Sequence, residues 1–254
     1  MNRRTICRSF LAIACTAIFI KSSTAKNSPY FAKYVSEKEL KNYARAISVR
    51  VFPTKNPHYG GSGVLIQRDN HLYTVVTNDH VINNKKQSYK IQTSDNKVYS
   101  ADILKLAKSD ADIGFLVFFS PDFVYTVATT VKEPTVQKKT LVIAGGFPFS
   151  SNLKQSGKFK TNKGLIAEVL NRPFIGGYQI GYSNAIVNGM SGGPLLNYYG
   201  ELIGINGTGQ EPLFGNPYVF EDGSTISEAE WNIFSRLSWA IPIQIIQRMS
   251  EKSK

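Results

Sequence analysis

The stretch VNGMSGGPLL, residues 187–196, sets a serine among glycines between two apolar runs. Glycines weaken a strand and proline cannot donate to a ladder, so the segment is poor material for a sheet. Nucleophilic chemistry would give it a reason. A carbonyl carbon must approach the Ser191 hydroxyl, and the oxygen turning negative must meet backbone N–H donors. Gly189 lets the chain bend so that its own N–H and that of Ser191 converge, while Gly192 and Gly193 remove side chains that would block the approach. One such donor contributes about 2.7–4 kcal/mol to a transition state. The bland alternative is a tight glycine turn with an incidental serine.

A hydroxyl needs a base. Of the three histidines, His58 and His71 sit in turn-like surroundings and read as surface residues, whereas His80 follows the apolar run YTVVT and Asn78-Asp79. A histidine at a strand end is held rigidly yet can face a cleft, as a general base must. An acid to orient it is available in SDADIGFLVFF, where Asp112 directly precedes an apolar strand and Asp110 lies two residues earlier. A carboxylate at such a place is costly to bury unless paired, which makes an imidazole N–H an attractive partner. The choice between the two aspartates stays open on this ground alone.

These residues need rigid elements to bring them together. From Ile47 onward, short runs rich in Val, Ile, Tyr, Phe and Thr are bounded by Gly, Asn, Asp, Ser or Pro. They predict strands at 48–52, 63–68, 72–78, 89–94, 101–107, 113–119, 140–146, 164–170, 178–182, 194–197 and 202–207. Without strand–helix alternation, this spacing predicts an all-β fold of antiparallel barrels or a sandwich. Helices are expected near the ends. A capping box, Ser36 with Glu39, opens SEKELKNYARAI, and Pro242 heads IQIIQRMSEK. A weaker helical pattern covers 227–237, and Gln210 to Ser224 reads as a long loop.

Residues 1–25 carry Arg3, Arg4 and Arg8, an apolar run from Phe10 to Ile20, and the small residues Ser23-Thr24-Ala25. That is the pattern of a secretory signal peptide, too short for a stable membrane span. An exported protein, in a periplasm, lumen or medium, is therefore expected. Cleavage after Ala25 would take four positive charges and no acids from the formal +12, leaving +8. The lysines are scattered (Lys85-Lys86, Lys138-Lys139, Lys158, Lys160), which describes a solvated basic surface rather than a nucleic-acid stripe. Both cysteines, Cys7 and Cys15, lie in the leader. The remainder has no disulfide and no thiol nucleophile, and three isolated histidines offer no grouped ligands, so neither a metal nor another cofactor is expected.

GSGVLIQ, VVTNDHVI, ADIGFLVF and NGMSGGPLLNYYGELIGING, taken in that order, resemble the trypsin-like serine proteases. The likeness is strongest to the disulfide-free bacterial Deg-type, or high-temperature-requirement, branch. It covers roughly residues 44–254, including SWAIPIQII. The resemblance implies two six-stranded antiparallel β-barrels with a C-terminal helix. The expected division is an extension at 26–43, a first barrel at 44–128, a second at 129–241 and the helix at 242–254. It further implies a serine endopeptidase acting on protein or peptide, with His80, Asp112 and Ser191 as the triad. The N–H groups of Gly189 and Ser191 would form the oxyanion hole.

Two positions depart from the digestive-protease pattern. Met190 replaces the Asp that pairs with a newly cut N-terminus, so activation by that ion pair is not expected. Ala185 stands where trypsin has its specificity Asp, which implies small or medium apolar residues at the cleavage point. Ile205, Asn206 and Gly207 would line the same pocket and pair with substrate as an extra strand. The chain stops soon after the closing helix, so no PDZ domain is expected. The Gln210–Leu237 segment would shape substrate access. A silent trypsin-like fold used for binding is the competing reading. A lipase fails, because its elbow needs strand–turn–helix and the order Ser, acid, His.

Overall fold

Each predicted apolar run finds its partner across a ladder. In the computed structural model, which describes residues 34–104, 109–131, 136–149, 157–211 and 216–251, the leader at 1–25 lies outside the described residues. Strands β1 (Ser48–Pro53), β2 (Gly61–Asp69), β3 (Leu72–Thr77), β4 (Tyr89–Gln92), β5 (Val98–Ile103) and β6 (Gly114–Phe119) close one antiparallel barrel in the order β1-β2-β3-β6-β5-β4. Strands β7 (Leu141–Gly146), β8 (Lys160–Phe174), β9 (Tyr178–Tyr182), β10 (Pro194–Asn197), β11 (Leu202–Thr208) and β12 (Ser238–Pro242) close a second as β10-β11-β12-β9-β8-β7. Closure leaves no free sheet edge in either.

Burial explains the arrangement. Val49, Val51, Leu65, Tyr73, Val75, Ile91 and Leu116 fill the first barrel, and Val142, Ala144, Ile180, Tyr182, Leu195 and Ile203 fill the second. Between them, Val64, Val76 and Phe115 of the first meet Ile143, Leu196, Leu202, Ile205 and Ile241 of the second. Helix α1 (Glu37–Ile47) adds Leu40, Ala44 and Ile47 to this seam. Its capping box forms as predicted: the Ser36 hydroxyl accepts from Glu39 N–H at 3.3 Å, and the Glu39 carboxylate accepts from Ser36 N–H at 3.2 Å.

Three elements differ from expectation. Strand β12 follows helix α2 (Glu228–Phe234) and leads into helix α3 (Ile243–Glu251), so Pro242 ends the strand rather than opening the helix. A short apolar run between two helices cannot be separated from helix by periodicity alone, and Pro242 suits a first helical position as well as a strand end. Strand β8 starts at Lys160, four residues before the predicted 164–170, because Lys160–Lys163 pair with β7 through backbone groups alone. Within the expected Gln210–Ser224 loop, residues 216–224 are not simply loop. Tyr218 and Phe220 are buried against Phe174, Phe234 and Trp239, with Trp231 at the edge. Removing 212–226 would therefore take Tyr218 and Phe220 out of that aromatic cluster and cost stability.

Candidate active site

Strand β3 delivers the candidate base. Beyond Thr77 the chain passes through buried Asn78 into a single 3₁₀ turn, Asp79–Val81, which carries His80. The acid comes from the loop entering β6, directly across the β3–β6 ladder. Asp112 Oδ1 accepts the His80 backbone N–H at 2.9 Å, and its Oδ2 lies 2.6 Å from His80 Nδ1. An ionised carboxylate only accepts, so Nδ1 carries the proton and Nε2 keeps its lone pair. Of the two aspartates, Asp112 is the one in contact; Asp110 is exposed.

The acid is anchored from both barrels. On its own side Asn78 Nδ2 donates to the Asp112 carbonyl at 3.0 Å. From the other side, the β8–β9 turn supplies the Gly176 carbonyl, which accepts Asp112 N–H at 2.9 Å. The Tyr178 hydroxyl donates to Asp112 Oδ2 at 2.5 Å. Burial first, and the neighbouring Asp112 charge second, hold the Tyr178 phenol well above its ordinary titration range. The Asp112 side chain is 17% exposed, against 48% for His80, so the carboxylate is shielded while the imidazole faces outward.

The serine loop turns through Gly189 (φ +95) and Gly192 (φ +86), conformations that side chains resist. Close approach reinforces this: a Cβ on Gly192 would lie 2.1 Å from the Ser62 carbonyl. Ser62, in β2 of the first barrel, clasps the loop. Its N–H donates to the Ser191 carbonyl at 2.8 Å, and its hydroxyl donates to the Gly189 carbonyl at 2.7 Å and accepts from Phe147 N–H at 2.8 Å. Thr77 Oγ1 in turn donates to the Ser62 carbonyl at 2.7 Å.

Phe149 N–H donates to the Asn188 carbonyl at 2.8 Å. In a trans peptide the carbonyl and the following N–H point opposite ways, so this bond turns the Gly189 N–H away from Phe149. Neither that N–H nor the one on Ser191 is taken by a described residue. The Ser191 hydroxyl donates to the Gly207 carbonyl at 3.0 Å. His80, Gly189 and Ser191 together line a groove of about 310 Å³, whose further walls include Tyr59, Asn83, Gln87, Phe149 and Asn188.

The remaining expected residues fall in two groups. Ala185 is exposed, its carbonyl accepting Asn162 Nδ2 at 2.5 Å, and Gly207 touches the serine. Ile205 and Asn206 are fully buried. Ile205 belongs to the seam between the barrels, and Asn206 Nδ2 donates to the Gly145 carbonyl at 2.9 Å while its Oδ1 accepts from Tyr182. Neither side chain opens onto a surface. The sequence reading missed Ser62 and Tyr178. Ser62 had a faint signal in Gly61-Ser62-Gly63, small residues inside a strand, but Tyr178 reads as any aromatic at a strand start.

Comparison with known proteins agrees with this geometry. A trypsin-like peptidase domain family matches residues 61–205. "Serine protease HTRA1" of Xenopus tropicalis is 32% identical over 166 residues, 61% of this chain and 32% of that protein. "Serine protease Do-like HtrA" of Bacillus subtilis is 31% identical over 150 residues, 58% of this chain and 32% of its own length. "Periplasmic pH-dependent serine endoprotease DegQ" of Escherichia coli is 34% identical over 148 residues, 58% of this chain and 30% of its own. The chain thus spans about a third of the length of these relatives.

Proposed function

Because the chain belongs to the trypsin-like peptidase domain family, we propose that it is a serine endopeptidase working through an acyl-enzyme on Ser191. What carries the reading is His80, paired with Asp112 behind it, sharing one groove with Ser191 and Gly189. Rotation of the Ser191 hydroxyl off the Gly207 carbonyl frees it for a substrate carbonyl. His80 Nε2 takes the hydroxyl proton as Oγ attacks and returns it to the leaving amine. Asp112 keeps the tautomer and stabilises the imidazolium. The developing oxyanion meets the N–H groups of Gly189 and Ser191, and water then cleaves the ester by the same base.

Ala185 supports a preference for small or medium apolar residues at the cleavage point, and uncharged Asn83, Gln87 and Asn188 favour uncharged neighbours in the groove. The leader-like residues 1–25 support export, as does the likeness to a relative named as periplasmic. A labelled fluorophosphonate should modify the wild-type chain at Ser191 and leave Ser191→Ala unlabelled. A peptide-library profile should show cleavage after small apolar residues. Absence of labelling would favour the second reading, a silent binding fold, for which the serine hydroxyl resting on Gly207 is the specific observation.

A further inference from the structure

We propose that Tyr178 is a positioning residue for the acid–base pair, and that position 207 is glycine because the phenol ring fills the space a side chain would need. The proposal rests on the peptidase reading above. Its geometry is specific. The Tyr178 hydroxyl and His80 Nδ1 both converge on Asp112 Oδ2, at 2.5 and 2.6 Å. A Cβ on Gly207 would stand 2.2 Å from Tyr178 Cε1 and 2.6 Å from its hydroxyl oxygen. The ring therefore passes against the Gly207 backbone, whose carbonyl holds the Ser191 hydroxyl, and reaches the carboxylate beyond. One side chain links the support of the nucleophile to the support of the base.

An O–H donor to a carboxylate is among the stronger hydrogen bonds, and it fixes which way the carboxylate turns. It also shares the negative charge on Oδ2, which weakens the pull on the imidazolium. The titratable groups facing the phenol are Asp112 and, from its own strand, Tyr182, with the neutral Thr208 hydroxyl beside it. Burial keeps the phenol protonated, so it remains a donor across the working pH range of such a base. With the donor removed, Oδ2 holds its full charge against His80, and the imidazole titrates at higher pH.

The test is Tyr178→Phe in the full chain, with Gly207→Ala as a second variant that displaces the ring while keeping its hydroxyl. The His80 imidazole titration is followed by NMR, which needs no turnover, and thermal melting checks folding. Both variants should move that titration upward, and an unchanged titration in folded Tyr178→Phe overturns the proposal. In peptide turnover, Tyr178→Phe should lower kcat by about 10- to 100-fold with KM nearly constant, the loss expected for one hydrogen bond to a charged group. In an Asp112→Asn background the same change should cost less than about two-fold, because its partner is already altered. An equal cost in both backgrounds overturns the proposal. Lack of Ser191-dependent turnover in the wild-type chain would defeat the peptidase reading instead, leaving the NMR titration to decide the role of Tyr178.

Discussion

Asp112, from the first barrel, is held by Gly176 and Tyr178 of the second, whereas the Gly189–Ser191 loop, from the second barrel, is held by Ser62 of the first. The two braces differ in kind. A shielded charge needs donors on its oxygens to stay ionised, and Asp112 receives them from an imidazole, a phenol and a backbone N–H. A nucleophile needs its backbone fixed and its hydroxyl free to rotate. Accordingly Ser62 bonds the carbonyls of Gly189 and Ser191 and leaves the Ser191 side chain to a single weak contact with Gly207. Fixed charge on one side and fixed peptides on the other is the division of labour that general-base catalysis requires.

Substitutions can break this comparison at graded cost. Ser191→Ala should abolish turnover, a loss on the order of 10⁶-fold in kcat as for other activated serines, with an unchanged circular dichroism spectrum. Asp112→Asn removes the fixed charge and frees the tautomer, and should lower kcat by about 10⁴-fold near neutral pH. Ser62→Ala removes the hydroxyl that links Gly189 and Phe147. It should lower kcat by roughly ten-fold and stability by about 1–3 kcal/mol, since a buried N–H loses its partner. Comparable kcat in Ser62→Ala and wild type would mean that the loop holds its shape without the Ser62 hydroxyl, on backbone bonds alone.

The smallest effect sharpens the contrast through pH. Tyr178 and Tyr182 both titrate well above the ordinary 10.0 in the folded chain, chiefly through burial. A group whose folded pKa is raised contributes stability that is fully present below its unfolded pKa and lost as pH climbs toward the folded value. Urea midpoints should therefore hold up to about pH 10 and fall above it, and Tyr178→Phe should flatten that fall.

Much of this was legible in the residues themselves. Apolar runs with turn residues between them gave eleven of the strands, since near-continuous burial, as in β2, β3, β7, β10 and β11, leaves a direct trace of Val, Ile and Leu. Ser36 and Glu39 marked the first helix through a local hydrogen-bond pair. His80, Asp112 and Ser191 stood out because each is a reactive side chain at the end of an apolar run. Ser62 and Tyr178 did not stand out, because their roles arise only when two barrels dock. The partners lie 127 and 66 residues away in the chain, and a hydroxyl in a strand or a tyrosine at its start has an ordinary local explanation. Tyr218 was equally hidden, for an aromatic inside a Gly- and Pro-bearing stretch is read as loop until its ring neighbours are known.

The mutual clasp also sets when the groove takes shape during synthesis. A polypeptide emerging from its N-terminal end acquires imidazole and carboxylate first, but neither the phenol that steadies them nor the serine they would serve. Even with Ser191 in place, its loop lacks the clasp on the Gly189 and Ser191 carbonyls until Ser62 reaches it from the earlier half. The whole constellation is thus assembled in one event, at the closing of the two barrels.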